Sequence, residues 1–75
     1  MSRERLGTVF GFAERLDSLI QQNEYTYNFV AERVGRDRKS VYGWKNGDAI
    51  PDGVIIVRLC ALLHTTPNYL LLGKE

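Results

Sequence analysis

The 75 residues of the chain are enough for one domain and too few for two, so most apolar residues should be needed for a single small core. With 44% hydrophobic and 25% charged residues, the composition is that of a globular protein and argues against disorder. The single cysteine, Cys60, excludes an internal disulfide framework, and the single histidine, His64, leaves too few ligands for a structural zinc site.

The sequence carries no pattern of an export signal, a membrane span or an enzyme. The first ten residues, MSRERLGTVF, lack the apolar run of a signal peptide, and no stretch approaches the length of a membrane span. We therefore expect a cytoplasmic protein that does not contact a membrane. The sequence has no glycine-rich phosphate loop, no paired metal ligands and no nucleophile elbow, so we expect no catalysis, no cofactor and no metal.

The net charge of +1, taken alone, argues against a nucleic-acid-binding protein. The distribution of charge changes that interpretation, because five cations and only one acid fall between residues 33 and 45. The cations are Arg33, Arg36, Arg38, Lys39 and Lys45, and the acid is Asp37. A modest basic patch of this kind is what a small sequence-reading domain needs to attract phosphate.

The chain is expected to begin with a flexible arm, residues 1–7, followed by one domain, residues 8–75. The arm is polar; such arms can reach along DNA, but frayed ends without function are commoner. A first helix is predicted from Thr8 to Gln22, because apolar residues recur there at helical spacing. Its buried face would be Phe12, Leu16, Leu19 and Ile20, and its solvent side Glu14, Arg15, Asp17 and Ser18.

Two short helices around one tight turn are predicted between Thr26 and Gly47. Thr26 can cap the second helix, and Gly35 stands where a left-handed residue would end it. Asp37 can cap the third helix, which Asn46 and Gly47 would end. The inward faces would be Val30, Ala31 and Val34 on the second helix, and Val41 and Trp44 on the third. A small residue, a glycine and an aliphatic residue at positions 31, 35 and 41 give the spacing of a helix-turn-helix.

A fourth helix is predicted from Gly53 to His64. It is apolar nearly all round, with Arg58 almost its only polar side chain, so we expect it to be covered on several sides as the central helix of the core. Thr65 and Thr66 before Pro67 supply a cap and a first-turn proline. A fifth helix is therefore predicted over residues 68–72, whose leucines either close the core or face a second subunit.

Several short motifs together carry a family resemblance over about residues 12–73. They are Arg15-Leu16 in the first helix, Val30-Ala31 and Val34-Gly35 in the second, Val41, Trp44, Asn46-Gly47 and Pro51 around the third, Leu59, Leu62 and Leu63 in the fourth, and the tail Asn68-Tyr69-Leu70-Leu71-Leu72-Gly73. In these positions the chain resembles the Cro/CI, or XRE-type, lambda-repressor-like DNA-binding domains.

The resemblance implies an all-α fold, a compact five-helix bundle in which helices 2 and 3 form the helix-turn-helix and helix 3 enters the DNA major groove. Base contacts are expected from Arg38, Lys39, Ser40 and Tyr42. Tyr27 and Asn46 match positions that contact the phosphate backbone, and the charges of Arg36 and Lys45 are expected to add two further phosphate contacts. The family usually works as a dimer on a near-palindromic operator.

Three departures from the family pattern bear on specificity. Arg36 replaces a commonly aliphatic residue, so the turn is either more open or supplies an extra phosphate contact. Gly43 lowers helix stability but lets the backbone approach the groove. Many members pair an arginine at the place of Ile20 with a glutamate at the place of Lys45; here both are absent, which avoids leaving one buried charge alone.

We therefore expect a sequence-specific, double-stranded DNA-binding transcriptional regulator, a homodimer that represses by operator occlusion. Two alternatives stay open. One is an antitoxin-like or other protein-interaction module on the same fold, in which DNA binding is secondary. The other is a helical bundle that binds proteins and has lost DNA affinity, for which the low net charge is the best argument.

Overall fold

Five α-helices make up the part of the chain that the computed structural model describes, residues 11–74. They are α1 (Phe12–Gln22), α2 (Tyr27–Val34), α3 (Arg38–Asn46), α4 (Gly53–Leu63) and α5 (Pro67–Leu72). α2 packs on α3, α1 packs on α3 and α5, and α4 packs on α2 and α5. The predicted all-α, five-helix bundle is confirmed, whereas the predicted arm, residues 1–7, lies outside the described residues.

Short polar side chains fix where four of the helices begin. Thr26, Asp37, Asp52 and Thr66 each precede a helix in an extended conformation, and each side chain accepts a hydrogen bond from the backbone N–H three residues later. The four distances lie between 2.9 and 3.1 Å. Because such a cap stabilises a helix by about 1 kcal/mol, these positions set the boundaries of α2 to α5. The predicted caps at Thr26, Asp37 and Thr66 are confirmed, and Asp52 is an additional one.

The first helix begins later than predicted. Gly11 precedes α1 with φ of 81°, a left-handed conformation that a right-handed helix interior does not contain, so a helix from Thr8 cannot continue through it. Residues 8–10 of the predicted helix lie outside the described residues. The predicted inward face is confirmed, since Phe12, Leu16 and Ile20 are buried and Leu19 packs against them.

Arg15 does not lie on the solvent side of α1, where it was predicted. Its Nε donates to the carbonyl oxygen of Leu70 at 3.0 Å, and its Nη2 donates to that of Leu71 at 2.9 Å. The last carbonyls of a helix have no partner within the helix, and a cation there satisfies them. Arg15 therefore ties α1 to the end of α5. Leu70 is buried and Leu71 packs on the core, whereas Leu72 is 62% exposed.

The prediction that α4 is covered on several sides is wrong. Its inward face, formed by Ile55, Ile56, Leu59, Cys60 and Leu63, is buried. On its outward face the side chains of Val54 and Val57 are 61% and 64% exposed, and Ala61 beside them is also exposed. α4 packs on α2 and α5 through its inward face, and its outward face is left open to solvent. Among the described residues, no helix has the length and hydrophobicity that crossing a membrane requires.

We predict that Gly35→Ala destabilises the domain by roughly 1–2 kcal/mol, since an L-residue in the left-handed region carries a strain of that order. The φ of Gly35 is 83°, and an added Cβ would lie 3.1 Å from Arg58 Nη1. Urea unfolding followed by the fluorescence of the buried Trp44 measures the change.

Gly53→Ala is the matched control for this substitution. Gly53 has no positive φ, and an added Cβ would meet nothing within 4 Å. Its free energy of unfolding should stay within about 0.5 kcal/mol of the original. Equal losses in the two variants would contradict the role given to the left-handed turn.

Candidate nucleic-acid interface

The turn between α2 and α3 is held by three backbone carbonyl contacts. The amides of Gly35 and Arg36 both donate to the carbonyl oxygen of Ala31, at 3.0 and 2.9 Å. Arg58, from α4, donates through Nη1 to the carbonyl oxygen of Val34 at 3.0 Å. The end of α2 is thus satisfied from within the turn and from a second helix, which fixes the direction in which α3 starts.

α3 is anchored on its inward side and open on the other. Val41 and Trp44 are buried in the core, as predicted. On the outward side Arg38, Lys39 and Tyr42 are exposed, and with Asp37 they line one open depression. Among residues 11–74, neither Arg38 nor Lys39 forms a hydrogen bond or an ion pair. Their five and three N–H donors are available to an external acceptor.

Ser40 belongs to the cap of α3. Its amide and its hydroxyl both donate to Asp37 Oδ1, at 2.9 and 2.8 Å. These hydrogen bonds hold the pKa of the Asp37 carboxyl below its usual range, and the bond from the hydroxyl has the larger effect. Asp37 therefore stays ionised at the positive end of the helix dipole, where a negative charge is favourable. The hydroxyl hydrogen of Ser40 is used, but its oxygen can still accept.

Three helices meet at a cluster that the sequence did not predict, formed by Asp17 of α1, Tyr27 of α2, and Tyr42 and Lys45 of α3. The Tyr27 hydroxyl donates to Asp17 Oδ1 at 2.6 Å. The rings of Tyr27 and Tyr42 meet edge to face, with centroids 5.0 Å apart. Lys45 Nζ lies 5.3 Å from the Tyr27 centroid and 5.6 Å from the Tyr42 centroid, within the range of cation–π attraction.

The hydrogen bond to Asp17 favours the neutral form of the Tyr27 phenol. The pKa of the Tyr27 phenol lies above its ordinary value, first because the hydroxyl donates to the Asp17 carboxylate and second because the ring is partly buried. A phenol has one hydrogen to donate, and here it is committed to Asp17. Lys45, at the place where many family members have a glutamate, packs on aromatic rings, while Ile20 is buried in the core.

The remaining predicted phosphate contacts lie apart from this cluster. Arg36 Nη2 is 3.4 Å from Asp52 Oδ2, and both side chains are largely exposed. Asn46, the last residue of α3, is exposed, and its side chain forms no hydrogen bond with residues 11–74. The structure therefore brings together Arg38, Lys39 and Tyr42 on one face, and Tyr27 with Tyr42 and Lys45 beside it.

Sequence reasoning missed three polar residues that support this surface: Asp17, Asp52 and Arg58. Arg58 had a signal, since a single cation within an otherwise apolar helix indicates a partner on a neighbouring element. Asp52 also had one, because an aspartate directly before a helix is a common cap. Asp17 had none, since its partner lies on a different helix and only the fold brings the two together.

Comparison with known proteins places the fold in a family. The family model described as "Cro/C1-type HTH DNA-binding domain" matches residues 15–71, well over half of the chain. No curated protein sequence matches significantly.

Among the solved structures that share the fold are two repressors. One is the P22 c2 repressor in complex with a synthetic operator, with a TM-score of 0.81, 22% identity, and coverage of 84% of this chain and 96% of that one. The other is the SOS-response transcriptional repressor LexA from Eubacterium rectale, with a TM-score of 0.83, 24% identity, and coverage of 100% of this chain and 78% of that one. The family match and this fold together confirm the resemblance seen in the sequence: the chain belongs to the Cro/C1-type helix-turn-helix DNA-binding domains.

Proposed function

We propose that the chain recognises specific double-stranded DNA sequences by placing the first turn of α3 in the major groove. The observation that carries this proposal is the pair Arg38 and Lys39 at the start of α3, both exposed and without a hydrogen bond or ion pair among residues 11–74, while the other side of the helix is buried in the core. In helix-turn-helix proteins the N-terminal residues of the recognition helix contact base edges.

Each base-reading residue offers a different chemistry. Arg38 can donate two hydrogen bonds to O6 and N7 of one guanine, and Lys39 can donate to guanine or to a phosphate. Ser40 can accept from the amino group of adenine or cytosine, since its own hydrogen is bound to Asp37. Tyr42, 41% exposed, offers an aromatic edge to a thymine methyl group or a sugar.

Three side chains are proposed to contact phosphates: Arg36 and Asn46, which are exposed, and Lys45, which is partly exposed. The pair between Arg36 and Asp52 is exposed, and exposed pairs of this kind contribute little, so Arg36 can exchange it for a phosphate. Tyr27 is different, because its hydroxyl cannot donate to a phosphate while it donates to Asp17. We therefore propose that Tyr27 supports its neighbours and contacts the backbone through its ring edge.

We predict that Arg38→Ala and Arg36→Ala affect DNA binding differently. Random duplexes selected on the original protein identify the preferred site. Arg38→Ala should weaken binding to that site by about 1–3 kcal/mol and flatten the preference at one base pair. Arg36→Ala should weaken binding to all sequences and lower the slope of log K against log[salt] by about one unit.

Arg33→Ala is the control. Arg33 is an exposed cation within the same charged stretch, but its guanidinium lies over the Phe29 ring, 5.3 Å from the centroid, on α2. This variant should keep both the base preference and the salt slope. If Arg33→Ala and Arg38→Ala weaken binding alike, with no change in base preference, then α3 does not read sequence.

We further propose that the DNA-bound chain represses transcription. Two of the solved structures that share the fold are those of repressors, and one of them is bound to an operator. A domain of this kind bound across a promoter would exclude the polymerase by occupying the same DNA. Repression by operator occlusion is therefore the mechanism that we propose for this chain.

We also propose that two copies bind side by side on a near-palindromic operator and meet through α4. Val54, Val57 and Ala61 follow at helical spacing on the exposed side of that helix. Three small side chains cover far less than the ~800 Å² that each partner of a standard interface buries. So small a patch is sufficient when both copies are held by DNA, with their recognition helices roughly 34–36 Å apart. The DNA then supplies most of the binding energy.

We predict that Val57→Glu abolishes the cooperative occupation of a full site but leaves binding to a half-site intact. An unpaired carboxylate in an apolar contact costs several kcal/mol. The ratio of the affinity for the full site to the affinity for the half-site should therefore fall at least about tenfold. Gel-shift titrations on the two sites measure this ratio.

Leu72→Glu makes the same change at an equally exposed leucine on α5 and should leave that ratio unchanged. Loss of cooperativity in Leu72→Glu alone would place the contact on α5. If neither variant changes the ratio, a second copy does not occupy these faces, and the α4 face is left for a different protein partner, as in an antitoxin-like module.

A further inference from the structure

Asp17 lies at the base of a chain of contacts that ends on the recognition helix. Its carboxylate accepts the Tyr27 hydroxyl at 2.6 Å, a short distance that is typical of a charge-assisted hydrogen bond. Gln21 Nε2 donates to the same hydroxyl oxygen at 3.3 Å. Both α1 residues therefore hold the outer end of the Tyr27 side chain, and Asp17 holds it more tightly.

The Tyr27 ring in turn limits where Tyr42 can lie. The two rings meet at 70° with centroids 5.0 Å apart, which is the edge-to-face geometry that aromatic pairs prefer. Lys45 Nζ lies near both ring faces. A rotation of Tyr42 away from this position would give up the contact with Tyr27 and separate its ring from Lys45.

A carboxylate beside a DNA-binding surface is unfavourable for phosphate binding, so its presence there calls for a physical reason. An exposed aspartate on such a surface repels the DNA phosphates that lie within about a Debye length of it. Asp17 is half-buried, and it accepts the hydrogen that keeps Tyr27 in place. Its position fits a residue whose contribution to orientation outweighs its repulsion.

From these contacts we infer that Asp17 is a positioning residue for DNA specificity: through Tyr27 it fixes the orientation of Tyr42, and so determines the base preference at the positions that Tyr42 faces. The inference rests on the proposed function, because it assumes that α3 reads bases. It assigns a role in specificity to a residue on α1, which is outside the helix-turn-helix.

Three single variants separate orientation from charge. Tyr27→Phe keeps the ring and removes the hydroxyl that Asp17 holds. Asp17→Ala removes the acceptor and the charge together. Asp17→Asn removes the charge but keeps an oxygen that can accept from Tyr27. Tyr27→Phe and Asp17→Ala should flatten the preference at the base pairs where Tyr42→Ala flattens it, by up to roughly tenfold, the scale of one good base contact.

Asp17→Asn should retain that preference and bind all sequences more tightly, since it removes a negative charge. In the Tyr42→Ala background neither Asp17→Ala nor Tyr27→Phe should change the preference further, because residues that act through one another are not additive. A uniform loss across all base pairs, or a loss that adds to that of Tyr42→Ala, would overturn the inference.

A measurement without DNA keeps this inference separate from the proposed function. In NMR spectra of the free protein, the ring resonances of Tyr42 should move in Tyr27→Phe and Asp17→Ala and stay close to the original in Asp17→Asn. Unmoved resonances in all three variants would exclude the positioning role even if the protein reads DNA. Moved resonances in a protein that selects no DNA sequence would confirm the contact chain but overturn both its role in specificity and the proposed function.

Discussion

Gly35 adopts a left-handed conformation at the end of α2, and the orientation of α3 depends on it. Two amides of the turn and the guanidinium of Arg58 satisfy two of the last carbonyls of α2, those of Ala31 and Val34. Asp37 then caps α3. The outward residues Arg38 and Lys39 form no hydrogen bond or ion pair among the described residues, so the turn, the cap and the buried side hold the helix in its direction.

Short helices make their ends unusually important in this domain. The described helices contain 6 to 11 residues, and helices of that length are not stable alone in water. A large share of their backbone groups lies in first and last turns, where partners within the helix are lacking. Arg15 and Arg58 satisfy carbonyls at the ends of α5 and α2. The two arginines therefore connect helices that are far apart in sequence. Apolar contact alone would leave the carbonyls at these helix ends unpaired.

Beyond the fold class and the family, the details that the sequence predicted correctly are local ones. Caps and glycine ends depend on residues a few positions apart, so the boundaries of α2 and α3 could be read directly. The roles of Arg15 and Asp17 depend on partners 55 and 10 residues away, which only the fold brings close. The exposed side of α4 was also beyond prediction, because a single polar side chain, Arg58, is too weak a pattern to show which side of an otherwise apolar helix faces solvent.

If the outward face of α3 enters the major groove, an NMR titration of the ¹⁵N-labelled chain with DNA should show which amides lie at the interface. The ligand is a duplex that carries a single selected half-site, so that one copy binds and contacts between copies do not contribute. We expect the largest changes in amide chemical shift within residues 36–46, with the exposed face of α4 nearly unchanged. Saturable binding in which residues 36–46 stay unperturbed would contradict it.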